Sequence, residues 1–447
     1  MKKILLICCS SLLLFSCKKF LDERQDAAMV IPSTLDDIEK MMDHGNAMSF
    51  MMADHADGSS DDVYVPPATL ATLDQGSYNN YTWGPEYFFD QVQSTWSQAY
   101  LVINYTNIVL EKISEIDRTD RNALQWDRVY STAHFFRAYA YNLLINTFAP
   151  AYDPATYHTD MGVCLRLKSD FNIPSVRSSV KECYDQILFD ATEALRGLPV
   201  EPVYKTRPCR PAAFALLARI YLTINDFKKA GDYADSCIRL YPTLLNYNDV
   251  SLSPGAAFPI FNGDVIFHAV GGSATLMYPT RARVDTLLYR SYSTDDLRRK
   301  LFFNTVTDGQ AYTGSYGGTG SFFSGISSPE VYLIKAEALA EQGFYTDGMV
   351  TLNLLLQKRW RTGTFVPFTA NSKEEAIVII RTERRKEMTF RGQRFFDLKR
   401  WNKRGANIIV RRKIGTELLE LLPNDLRYAI PIPRRVIDMT GMPQNPR

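Results

Sequence analysis

Apolar residues recur at helical spacing along most of the chain, and the breaks in that rhythm are as informative as the runs. After Ser179-Val180-Lys181-Glu182, which has the spacing of a capping box, apolar positions fall at Val180, Tyr184, Ile187, Leu188, Ala191, Leu195 and Leu198, and Pro199 ends the run. Asn104 to Ile116 and Trp126 to Phe148 carry the same pattern, the second closing at Pro150. Ser328 followed by Pro329 predicts an N-cap and a first-turn proline for a helix over Glu330 to Gln342. Ser372-Lys373-Glu374-Glu375 reads as another capping box, opening a helix over Ala376 to Phe390. Two regions lose the rhythm. Asp54 to Tyr87 is rich in Asp, Pro, Gly, Asn and Tyr, and Leu245 to Ser327 predicts short strands and loops. Within the latter, Gly309 to Gly325 holds six glycines and four aromatics. Irregular segments of such length in a compact protein are commonly functional.

The stretch Pro211 to Pro242 says more than its period. Phe214, Leu217, Ala218 and Tyr221 line one helix face, Asn225-Asp226 makes a polar turn, and Ala230, Ala234, Cys237 and Pro242 continue on a second helix. These offsets match the tetratricopeptide pattern, in which small residues let two antiparallel helices approach and large ones fill the gaps. Glu330 to Arg361 repeats the plan through Tyr332, Ala336, Leu339 and Leu352. Stacked hairpins bury each other's apolar faces, so the expected fold is mainly α: a helical scaffold with tetratricopeptide-like hairpins and a loop-rich face with short strands.

Charge changes the picture at the amino terminus. The 447 residues hold 51 basic and 49 acidic side chains, and Lys2 and Lys3 account for the excess. A balanced body argues against a nucleic-acid partner, even though Arg381 to Lys413 contains thirteen basic and three acidic residues. There, Glu383 and Glu387 lie four apart and Arg394 and Asp397 three apart, which predicts an ion-paired helical connection rather than an open basic surface. Met1 to Lys3 and the apolar run Ile4 to Phe15 have the form of a secretory signal, too short to span a bilayer. Leu14-Phe15-Ser16-Cys17 resembles a bacterial lipobox, which makes residues 1–16 a signal peptide and Cys17 the lipidated first residue of the mature chain. Several acyl chains on one cysteine meet the requirement for stable membrane anchoring. Cys164, Cys183, Cys209 and Cys237 then remain, with three disulfide pairings or free thiols all open.

Three blocks resemble one family. Cys17-Lys18-Lys19-Phe20-Leu21-Asp22 opens the mature chain; Arg384-Arg385-Lys386-Glu387-Met388-Thr389-Phe390-Arg391-Gly392-Gln393-Arg394-Phe395-Phe396-Asp397-Leu398-Lys399-Arg400-Trp401 is the most specific; Ala429-Ile430-Pro431-Ile432-Pro433 with Gln444-Asn445-Pro446 closes it. Together they resemble the SusD/RagB family of surface nutrient-binding lipoproteins. The resemblance implies an outer-membrane lipoprotein that captures an oligosaccharide, or a peptide as in the RagB branch, and passes it to a SusC-like TonB-dependent transporter. It divides the mature chain into an N-terminal helical region over 17–244, a loop-rich insertion over 245–327 and a C-terminal region over 328–447. No catalysis, cofactor or metal is expected.

Sugars present flat C–H faces and a rim of hydroxyls, so a site wants aromatic platforms beside carboxylates and amides. The ligand-binding candidates on that ground are Asp61, Asp62, Tyr78, Asn80, Tyr81 and Trp83 in the first irregular region and Tyr312 and Tyr316 in the glycine-rich segment, where small neighbours would leave a ring accessible. Trp96 and Tyr100, at helical spacing, are read as packing. Asp54, Asp57, Asp61 and Asp62 with Gly58 lack the spacing of a calcium loop and read as a solvated acidic segment. His44, His55, His134, His158 and His268 are scattered, and no hydrolase, Walker or Rossmann motif is present. The other classes to weigh are a surface glycosidase, for which Asp61 or Asp295 would supply carboxylates, and a helical-repeat assembly scaffold.

Overall fold

The computed structural model describes residues 32–51, 54–88, 94–251, 258–271, 275–318 and 320–447. Cys17 and the signal segment lie outside the described residues. Besides four short helices at Gly45–Met48, Pro67–Leu70, Thr286–Ser291 and Arg298–Leu301, the described residues form, in chain order, α1 (Leu35–Met42), α2 (Asp54–Ser59), α3 (Gln75–Thr82), α4 (Thr95–Ile113), α5 (Ala123–Phe148), α6 (Val180–Glu193), α7 (Arg210–Thr223), α8 (Phe227–Leu240), α9 (Ser328–Glu341), α10 (Tyr345–Leu356), α11 (Lys373–Glu387), α12 (Arg394–Lys403) and α13 (Arg434–Thr440). They are predominantly paired neighbours: α4 on α5, α5 on α6, α7 on α8, α8 on α9, and α9 on α10 and α11. The mainly helical architecture expected from the apolar period is what the structure shows.

The two hairpins form where small residues permit close approach. Ala218 on α7 and Ala230 and Ala234 on α8 are fully buried, and Gly348 sits so near α9 that a Cβ there would meet the Ala336 carbonyl oxygen at 2.8 Å. The Ser179–Glu182 capping box is present in both directions. The box expected at Ser372 is half formed: Ser372 accepts from the Glu375 backbone N–H, but the Glu375 carboxylate takes the N–H of Asn371 instead. The helix expected to be capped by Ser328 begins one residue earlier, with Ser327 in the cap position and Pro329 in the first turn.

Short antiparallel ladders fill the irregular regions. β1 (Val63–Tyr64) pairs with β6 (Arg283–Val284), β2 (Met161–Cys164) with β3 (Arg177–Ser179), β4 (Val265–Phe267) with β10 (Ile326–Ser327), β5 (Val270–Gly271) with β9 (Phe322–Phe323), β7 (Phe303–Val306) with β8 (Gly309–Tyr312), and β11 (Val410–Ile414) with β12 (Glu417–Leu421). A separate apolar cluster packs with the ladders of the two irregular regions and includes Val63, Tyr81, Tyr247, Phe302, Tyr312 and Tyr316, while β2, β11 and β12 pack on the main helical core. The four cysteines among the described residues are buried free thiols, and burial pushes the thiols of Cys183 and Cys209 up, to about 12 and about 11.

The family-like block at Arg384 to Trp401 fastens these layers. Arg298 is fully buried and donates to Asp296, Glu383 and Glu387, while Arg359 reaches Glu387 and Asp264. Glu337 on α9 accepts from Arg400 at 2.7 Å and from the indole N–H of Trp401 at 3.0 Å, and Arg384 pairs with Asp397. Buried charges survive only when paired and hydrogen-bonded, so the block's basic residues are spent inside the fold. In the tail, Asn445 donates to the carbonyls of Phe148 and Ile430, which ties the end of α5 to the Ile430-Pro431 segment.

Candidate functional site

The first irregular region is more ordered than its composition suggests. Asp74 caps α3 by accepting from the Ser77 N–H at 2.8 Å, so Tyr78, Asn80 and Tyr81 lie on a helix, and Trp83 follows in the left-handed conformation at φ 58°. Tyr81 and Trp83 are buried, with Arg412 stacked 4.4 Å from the Tyr81 ring centre and the Trp83 indole N–H donating to the Ser59 carbonyl. Asn80 is 1% exposed and spends its amide on the carbonyl of His55 and the hydroxyl of Ser59. These three side chains pack the loop face from beneath and offer no surface to a ligand.

Tyr312 and Tyr316 are also core residues, 4% and 0% exposed. The glycines around them have the opposite effect to the one expected. A Cβ on Gly314 would stand 2.5 Å from the Phe302 ring, and one on Gly325 2.1 Å from the Phe267 carbonyl oxygen. Glycine here lets the backbone approach its neighbours closely and draws the tyrosines inward. The hydroxyl of Tyr316 meets Asp264 at 2.7 Å and Tyr247 at 2.6 Å, and Arg391 lies 4.0 Å from its ring centre.

Asp61 and Asp62 are bound to arginines from the C-terminal block. Arg394 grips both carboxylate oxygens of Asp61 at 2.7 Å, and Arg385 takes Asp62 at 2.7 Å. Burial alone would raise both acids. At Asp61 the Arg394 and Arg385 charges outweigh it and hold the carboxyl well below the usual carboxylate range, whereas burial beside Asp61 pushes Asp62 up to about 6. The Asp57 carboxylate accepts from the Gly392 N–H. Asp57, Asp61 and Asp62 are thus bonded within the fold rather than solvated, and among the described residues no group of three or more acidic, histidine or cysteine side chains could hold a metal ion.

What the loop face does present is a different set. Tyr64 is 37% exposed on β1, Tyr278 is 40% exposed, and Tyr78 is half-buried on α3. Beside them in sequence, the Ser77 and Thr275 hydroxyls meet at 2.8 Å, and Asp74 pairs with Arg281 at 3.4 Å. Hydroxyls, a carboxylate and a guanidinium thus meet where the helix that carries Tyr78 touches the segment that carries Tyr278, which is a chemistry suited to a polyhydroxylated ligand. The outward ring of Tyr64 was legible in the alternation Val63-Tyr64-Val65, whose valines are buried. Tyr278, Thr275 and Arg281 carried no such signal, because only the fold brings them beside α3.

Recesses lie elsewhere. One, about 400 Å³, is lined by Pro150, Met161, Lys399, Asp425, Tyr428 and Pro446. Lys399 in its wall donates to the Asn146 and Ala149 carbonyls, and burial lowers its ammonium to about 7. Another, about 250 Å³, lies against Trp96 and Tyr100. Trp96 is buried, as its helical spacing predicts, and Tyr100 donates its hydroxyl to the Cys164 carbonyl while its ring edges the recess.

This fold defines a class. A family model described as starch-binding associating with outer membrane matches residues 19–222, and one described as the SusD family matches residues 306–446. The chain belongs to the SusD/RagB family, a family of sugar-binding proteins associated with the outer membrane. It is similar to SusD-like protein P2 of Formosa agariphila, at 26% identity over 437 residues and 82% of each chain. Among solved structures it shares its fold with a SusD superfamily protein from Bacteroides thetaiotaomicron, at 22% identity and TM-score 0.76 over 93% of this chain and all of that one. A surface glycan-binding protein A from Bacteroides fluxus, at 18% identity and TM-score 0.70, is matched over 93% of this chain and 100% of that chain. Among the described residues no helix is long and apolar enough to cross a membrane.

Proposed function

We propose that the protein is an outward-facing outer-membrane lipoprotein, anchored by acyl chains on Cys17, that captures oligosaccharides and delivers them to a SusC-like TonB-dependent transporter. The observation that carries this reading is the agreement of two family models, one at each end of the chain, around a loop-rich middle whose Arg281 meets Asp74 of the first matched region, with Tyr278 exposed nearby in sequence. The division into 17–244, 245–327 and 328–447 is kept in this reading: the insertion supplies Thr275, Tyr278 and Arg281, the N-terminal region supplies Tyr64, Asp74 and Tyr78 as well as scaffold, and the C-terminal region supplies scaffold. Tyr64, Tyr78 and Tyr278 are the rings on which a saccharide would stack, with Asp74 and Arg281 fixing its hydroxyls. Of the ligand candidates named from sequence, Tyr78 alone keeps a part in this proposed contact surface.

A binding screen of the full chain against oligosaccharides and peptides tests the reading, together with co-purification from outer membranes. Saturable saccharide binding and recovery of a TonB-dependent barrel are expected. Peptide binding without saccharide binding would move the protein to the RagB-like cargo class, product release from a polysaccharide would make it a glycosidase, and a stable envelope partner indifferent to saccharide would make it a scaffold.

A further inference from the structure

The surface over the Trp96 recess is built differently from the loop face. Its floor is the Trp96 and Tyr100 rings, 4.8 Å apart on α4, with Met442 from the C-terminal tail. Its rim is the loop 165–176 between β2 and β3. That loop is held in shape by polar groups: the Arg166 guanidinium donates to the carbonyls of Asp170 and Ile173 and to the Ser175 hydroxyl, Asn107 donates to the carbonyls of Arg166 and Lys168, and Glu111 accepts from the Ser169 N–H at 3.0 Å. So fixed, it exposes Phe171 at 87% and Val176 at 71% of their surface.

Two features of this rim, the Phe171 ring and the Lys168 charge, have no role in holding the fold. A phenyl ring left 87% exposed buries almost nothing, and exposed apolar groups grouped around a recess commonly mark an interaction site. The charge is also uncompensated. Among the described residues neither Arg166 nor Lys168 pairs with a carboxylate, the nearby Glu111 is taken by Ser169, and Asp170 accepts from Asn172 within the loop. Asn104, exposed on α4 and lining the same recess, has no side-chain hydrogen-bond partner among the described residues.

We infer that this recess is a second saccharide subsite, selective for a sugar ring that carries a negative charge, with Phe171 stacked on the ring face, Lys168 paired to the anion and Asn104 bonded to ring hydroxyls. A uronate carboxylate and a ring sulfate share that chemistry. The inference rests on the glycan reading above and adds the class of glycan. An ammonium bonded to an oxyanion forms a charge-assisted hydrogen bond, stronger than a neutral one, and its strength falls as salt rises. The chain as a whole has almost no net charge, so the selectivity is local to this rim.

The test is calorimetric titration of the full chain in detergent with trigalacturonate, a singly sulfated galactose disaccharide and neutral maltotriose. The uronate and sulfate arms separate the two anions. Binding of at least one acidic probe is expected, weakened about 10-fold by Lys168→Gln and by a similar factor in Phe171→Ala. Both side chains are exposed, so the melting temperature should stay unchanged, and added salt should weaken the acidic probe only. If maltotriose binds and neither acidic probe does, this subsite is overturned while the glycan reading stands. If no saccharide binds, both fall. Acidic binding indifferent to both substitutions would place the anion elsewhere and overturn the assignment, as would a Phe171→Ala variant that loses only a protein partner.

Discussion

Arg381 to Lys413 and Arg166 to Lys168 are both cationic, and they differ in what the fold does with the charge. In the C-terminal block most guanidiniums are paired with carboxylates, among them Arg384 with Asp397, Arg385 with Asp62, Arg394 with Asp61 and Arg400 with Glu337. At the 165–176 loop the guanidinium holds backbone carbonyls and the ammonium holds nothing described. A dense basic sequence therefore marks the internal brace, and a sparse one marks the surface free to meet an anion. Local charge density is a poor guide to available charge, because availability depends on whether distant acids fold against it.

The largest effect should come from breaking the brace. Arg298→Met leaves Asp296, Glu383 and Glu387 buried around an apolar side chain, and a loss of about 3–5 kcal/mol is expected in urea denaturation. Trp83→Ala should cost about 3–5 kcal/mol through a lost core ring and leave saccharide affinity in the surviving folded protein unchanged, which separates packing from binding on the loop face. Tyr78→Ala makes the reverse case: affinity for a bound glycan falls by about 3- to 10-fold with little change in melting temperature.

A pH series sharpens the contrast between buried and open groups. His268 is 7% exposed beside Phe261, and burial holds its pKa down at about 4. Its folded pKa lies below the unfolded value, so the unfolded state binds more protons between about 6.5 and about 4, and stability is lost as pH falls through that window. His268→Leu should flatten the slope there in denaturation curves collected at several pH values. The smallest effect is a reductant's: with all four described cysteines free and buried, dithiothreitol should leave the melting temperature where it is.

Much of the scaffold was legible in the sequence, for a physical reason. Helical spacing, the Ser179 capping box and the alanines of the Pro211 to Pro242 hairpin are local features, and local geometry obeys them. The ion-paired reading of Glu383, Glu387, Arg394 and Asp397 also found its counterpart, although the partners are chiefly distant: Arg298 for the glutamates, Asp61 for Arg394. The loop face was harder because what matters there is long-range. Nothing near Asp61 or Asp62 announces Arg394 or Arg385, more than 300 positions away, and the glycines beside Tyr312 and Tyr316 give no local sign that Phe302 and Phe267 press against them. Tyr81 and Trp83 were read as loop residues because Asp, Asn and Gly dominate their surroundings, yet the Asp74 cap builds a helix from that composition.

The most direct measurement is hydrogen–deuterium exchange of the full chain with and without a saturating oligosaccharide found in the binding screen. The account predicts slowed exchange at the exposed surfaces, in residues 64–78 and 275–281 for a neutral glycan and in 165–176 as well for an acidic one. Protection confined to other segments, or unchanged exchange in all three at saturation, would contradict it.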